Sequence, residues 1–142
     1  MTDMKLPNYD HVPPKTVRFW AMFDTGVMSL ALPFTAPFFI RFLYWLNGLI
    51  GGSTTAPVFD PLAMFFVNLA GMLVLVWVAA RMIQPLGVFA LIDAIGRCVV
   101  SLLIAYYILF ENVIPVLWLF VLTEMLGAVA QFRAVGRRDA GA

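Results

Sequence analysis

The chain has 142 residues, of which 63% are hydrophobic and only 12% charged, with a formal net charge of +1. A soluble domain carries about a quarter of its residues charged, so this composition excludes a water-facing surface. A single cysteine rules out an intrachain disulfide and any multi-cysteine metal site, and the near-neutral charge gives no footing for nucleic acid.

In chain order, residues 1–17 are polar, contain Pro7, Pro13 and Pro14, and hold the only histidine, His11. A secretory signal would place an apolar core there, so the segment reads as a cytoplasmic tail lying along the membrane surface. Four apolar stretches follow, at about residues 19–40, 62–80, 86–110 and 113–132. Each is close to the ~20 residues that a helix needs to cross ~30 Å of hydrocarbon. Lipid offers no hydrogen bonds, so segments this apolar satisfy their backbone groups only as helices. In the first stretch Pro33 and Pro37 lack the N–H groups that would bond the carbonyls of Ser29 and Pro33. A packing kink is expected there, with the freed carbonyls turned towards the bundle or towards water.

Residues 41–61 form the longest connection. Its first part, with Tyr44 and Trp45, fits an interfacial helix, and Gly51 to Pro57 fits a flexible external loop. Alternatively, the first span continues past Arg41 to Ile50 as one long tilted helix; the sequence leaves both open. Arg81 to Pro85 is a tight turn, with Pro85 ending one helix, and Glu111-Asn112 is a minimal one. Lys5, Lys15, Arg18, Arg81, Arg133, Arg137 and Arg138 all fall on one side of such a layout, against Arg41 on the other. Positive charge marks the cytoplasmic face. The expected fold is therefore all-α: a single-domain, integral membrane four-helix bundle with both termini cytoplasmic, multi-pass in a bacterial inner membrane.

Three of the spans carry carboxylates. With a rise of ~1.5 Å per residue, Asp24 lies about 9 Å in from Arg18, and Asp93 and Arg97 about 12 and 18 Å in from Pro85. Glu124 lies about 14 Å in from Arg133, and Asn68 about 20 Å from Arg81. Asp24 shares a helical stripe with Ala21, Met28, Ala31 and Thr35; Glu124 shares one with Gly127, Ala128 and Gln131; Asn68 is three residues from Gly71. On the third span, Ala90, Asp93, Ala94 and Arg97 form the corresponding stripe. Small and polar residues on one stripe mark the face that packs against other helices. Asp93 precedes Arg97 by four residues, the order that pairs an acid with a base on a helix. Arg97 is thus the expected central cation, partnered by Asp93 and bridging to Glu124, with Asp24 and Asn68 completing a polar lining. Three acids against one base leave negative charge over, to be met by a proton, a cation or an amine. A purely structural ion triad pinning the helices together is the competing reading.

With its one histidine in the tail, the chain has no histidine cluster for zinc or di-iron and no axial pair for haem. No phosphate-binding Gly-rich loop or nucleophile elbow is present, and neither a metal nor a cofactor is expected. The run from Asn68 through Gly71, Arg81 and Pro85 to Asp93-Ala-Ile-Gly-Arg97, followed by Glu124, resembles the DoxX-like group of small bacterial membrane proteins. That resemblance covers the second half of the chain. It implies a four-helix bundle of the kind assigned as accessory subunits of respiratory or redox assemblies.

The expected function is an accessory or scaffolding subunit, or a binder of a small lipophilic or amine ligand, rather than an independent enzyme. Its partners would be the lipid bilayer and a larger membrane assembly or further copies of itself. Two alternatives use the same carboxylates. One is a small isomerase or cyclase of a lipophilic substrate, with Asp93, Glu124 and Asp24 as candidate acids and bases. The other is proton or cation transfer.

Overall fold

A computed structural model describes residues 9–137. Five helices carry the chain: α1 Pro14–Met28, α2 Ala36–Leu49, α3 Pro61–Ile83, α4 Gly87–Phe110 and α5 Trp118–Gly136, and no strand occurs among the described residues. Short 3-10 turns extend α1 through Ser29–Ala31 and precede α5 at Pro115–Leu117. The helix starts follow local chemistry. Pro14 and Pro61 open α1 and α3, where a missing N–H costs nothing, and Asp60 caps α3 by accepting the N–H of Ala63 at 2.9 Å. Between α4 and α5, Asn112 takes a left-handed backbone (φ 54°) that asparagine tolerates better than most residues.

Three helices are long and apolar enough to cross a membrane: α3, α4, and α5 with its leading turn; α1 and α2 would make a fourth only if taken together as one bent span. Phe34, Leu102 and Val76 are among many large apolar side chains left exposed, as suits a surface bathed in lipid rather than water.

The first apolar stretch is broken rather than kinked. The helix stops at Ala31, and α2 leaves at 97° to the first segment. This rules out one long helix running to Ile50, and it moves the expected boundary at residue 40 back by about two and a half helical turns. The cause is proline. Leu32, ahead of Pro33, is forced into extended backbone (φ −75°, ψ 159°). The carbonyl of Ser29 that Pro33 leaves unbonded instead accepts the Thr35 hydroxyl at 2.6 Å. Leu32 O accepts the N–H groups of Thr35 and Ala36 at 3.0 and 2.8 Å. Side-chain hydroxyls commonly restore backbone pairing at such breaks.

α4 packs most extensively on α5, and α1 on α3; α1 also touches α4 and α5. Consecutive helices α3 and α4 splay apart after their short turn instead of lying together. Gly71 lets α3 pass close to the end of the first segment, since a Cβ there would sit 2.9 Å from the Ala31 Cβ. The tail behaves differently from a surface-lying segment. Val12 and Val17 are buried with Ala90, backed by Tyr9, Phe89, Ala134 and Val135. His11 Nε2 lies 2.9 Å from the carbonyl oxygen of Val135. Gly87 makes this docking possible, because any Cβ there would run into the Tyr9 carbonyl. The earlier part of the tail, residues 1–8, lies outside the described residues.

At the opposite end, Asn47 is 1% exposed and joins three segments. Its Nδ2 donates to Ser53 O at 3.1 Å, and its Oδ1 accepts the Val116 N–H at 3.3 Å. The stretch read as a flexible loop is therefore tied at its start to α2 and to the turn before α5.

Candidate functional site

Five charged side chains from four helices form one chain of alternating sign: Asp93, Arg81, Asp24, Arg97, Glu124. Arg81 donates through Nη1 to Asp93 Oδ2 and through Nη2 to Asp24 Oδ2 at 2.7 Å. Arg97 donates through Nη2 to Asp24 Oδ1 at 2.6 Å and through Nη1 to Glu124 Oε2 at 2.9 Å. Asp24 is thus held by both guanidinium groups. Asp93 is further fixed by Trp77 Nε1 at 2.8 Å and Gln131 Nε2 at 3.1 Å. The two cations also lie over indole rings, Arg81 over Trp77 at 5.7 Å and Arg97 over Trp20 at 4.9 Å.

The local backbone explains these meetings. In a helix the Cα–Cβ bond tilts towards the N-terminus. Arg81 is two residues from the end of α3, and this tilt draws its head group back along the helix to the level of Asp93 in the second turn of α4. Its side chain has no exposed surface. On α4 the same tilt carries Arg97 towards the Asp24 level of α1. Gly127 clears the space: a Cβ there would approach the Arg97 side chain at 2.9 Å (Cδ), 3.0 Å (Nε) and 3.2 Å (Cζ).

The sequence-derived site is therefore partly redrawn. Asp24, Asp93, Arg97 and Glu124 do lie in one connected cluster. The expected Asp93–Arg97 pair is not formed; Asp93 belongs to Arg81, and Arg97 takes Asp24 and Glu124 instead. Side chains four apart on a helix are neighbours, but each here finds a better-placed partner on another helix. Arg97 is not a lone cation either: Arg81, which the sequence places at the turn on the cytoplasmic side, reaches into the cluster as a second. Asn68 takes no part in the cluster, and its buried Oδ1 has no protein partner. Sequence reasoning missed Arg81 and Trp77, and placed Gln131 on the right stripe without assigning it a partner. The excess of acids over one base was the available signal that a second base was due.

Beside the cluster lies a cavity of about 250 Å³. Val74 and Trp77 of α3 wall one side and Ile92, Gly96 and Val100 of α4 the other, where those helices splay apart. Asp24, Asp93, Arg97 and Glu124 line its charged part. The charges differ in how far they are committed. Both oxygens of Asp24 and both of Asp93 accept from protein donors. Glu124 is bonded through Oε2 alone and is the most exposed of the five, at 19% for its side chain. With three carboxylates and two guanidinium groups, the fully ionised cluster carries one negative charge over. The free valence is at its Glu124 end. Among the described residues, no three of His, Cys, Asp and Glu come together as a metal ion would need; the arginines stand between the acids.

Comparison of the chain with protein-family models, curated proteins and solved structures found no match.

Proposed function

We propose that this chain is a four-helix inner-membrane protein with both termini cytoplasmic, whose crevice between α3 and α4 binds a small lipophilic ligand bearing an ammonium or other cationic donor. The observation that carries this reading is the one-sided bonding of Glu124 in a cavity whose remaining walls are largely apolar. An apolar pocket with a few convergent polar groups is the usual form of a small-molecule site. Here the surplus negative charge selects the sign of the ligand. An amine donating to Glu124 Oε1 would complete the alternation of charge along the cluster while its hydrocarbon part lay against Val74, Ile92 and Val100. The residues behind the DoxX-like resemblance, Arg81, Asp93, Arg97 and Glu124, all belong to this cluster, which supports an accessory role built on it.

The test uses native mass spectrometry of the gently solubilised protein titrated with dodecylamine. Retention of dodecylamine by the wild type, and its loss in Glu124→Gln with the fold intact, is the expected result. Equal retention by the variant, or equal binding of dodecanoic acid, would refute it.

A second reading is favoured by the way the ion pairs tie α1 and α3 to α4 and α5. On it the cluster is a clamp and the protein a scaffold. Glu124→Gln would then lower thermal stability without changing what the protein retains.

A further inference from the structure

We propose that a second site, at the far end of the molecule under α2, holds the phosphate of an outer-leaflet glycerophospholipid on Arg41. It is separate from the crevice and shares no lining residue with it. The cavity there measures about 360 Å³. Pro37 and Ile40 of α2 form one wall, the irregular run from Ala56 to Phe59 another, and Met64 of α3 closes the space. Arg41 is its only charged lining residue.

Three observations select the occupant. First, Arg41 forms no ion pair among the described residues. It is also the only basic residue between Arg18 and Arg81, so no second cation competes for an anion at this end. Second, the N–H groups of Ala56, Val58 and Phe59, three residues of the facing wall, have no acceptor among the described residues. A guanidinium and unbonded backbone N–H groups are the donors that a phosphate oxygen uses. Third, the rest of the lining is apolar, and α2 leaves Trp45 exposed one helical turn beyond Arg41. An exposed tryptophan of this kind sits at headgroup depth in membranes. A free anion would leave that surface unused, whereas a lipid would cover it with its glycerol and upper acyl carbons. Asp60, the nearest acid in sequence to this wall, caps α3 through Oδ1 and is not among the residues lining the cavity.

The experiment titrates the purified full chain in dodecylmaltoside micelles with palmitoyl-oleoyl phosphatidylglycerol and counts retained lipids by native mass spectrometry. One lipid should be held by the wild type. Arg41→Ala should weaken it by about tenfold or more, the loss of one charge-assisted contact. Arg41→Lys should retain most of the binding. Arg41 is exposed and unpaired, so the melting temperature of both variants should match the wild type. Glu124→Gln should bind the lipid normally, which separates this site from the crevice. Undiminished binding by Arg41→Ala would overturn the proposal. So would equal binding of the diacylglycerol with the same chains, or displacement of the lipid by millimolar inorganic phosphate.

Discussion

Arg81→Met is the most informative single change, because it removes the one residue that holds two carboxylates from inside a fully buried position. Its side chain has no exposed surface and bonds Asp24 and Asp93. Asp24 would keep Arg97, whereas Asp93 would keep only the neutral donors Trp77 and Gln131. Most of the loss therefore falls on Asp93, left as a buried charge without a cation. Breaking one partner out of a buried pair costs about 3–5 kcal/mol, which is roughly a hundredfold or more in the folding equilibrium. Adding Asp93→Leu removes the stranded charge, so the double variant should recover part of that loss, with a coupling of about 1–3 kcal/mol. Reversible unfolding by dodecyl sulfate in mixed micelles, followed by circular dichroism, supplies both numbers. A cost below about 0.5 kcal/mol for Arg81→Met would place its head group at the interface and refute the reasoning.

Two further changes probe the supports. Gly127→Ala puts a methyl group against the Arg97 side chain, which is pinned at both ends and has nowhere to retreat. A loss of about 1–3 kcal/mol in the same unfolding assay is expected, with weaker dodecylamine retention. Asn47→Ala removes the tie between α2, Ser53 and Val116, so limited proteolysis should cut near residues 51–56 faster than in the wild type.

The helices α3, α4 and α5 were legible to within a few residues because unbroken apolar runs leave the backbone no alternative. The stripes of Glu124 and Asp93 were legible for a similar reason: Gly127, Ala128 and Gln131, like Ala90, Ala94 and Arg97, are buried in the structure. The first apolar stretch was harder. Two prolines announce a disturbance, but whether a helix bends or stops depends on what replaces the lost bonds. The Thr35 hydroxyl makes stopping inexpensive. Pairing within the cluster was not legible at all. Helical spacing favoured Asp93 with Arg97, and only the tilt of Arg81 back along α3, together with the approach of α1, brings the true partners within reach. Likewise, nothing in the composition of the tail shows that Val12 and Val17 pack onto Ala90, since that contact depends on the open backbone at Gly87.

Solid-state NMR of the protein in lipid bilayers, with arginine side chains labelled in nitrogen and acidic side chains in carbon, measures the ionic chain itself. Contacts should appear from Arg81 to Asp24 and Asp93, and from Arg97 to Asp24 and Glu124, with the Arg97–Asp93 contact missing. A direct Arg97–Asp93 contact, or an Arg81 side chain exchanging freely with water, would contradict the arrangement on which both the ligand-binding and the clamp readings of the cluster depend.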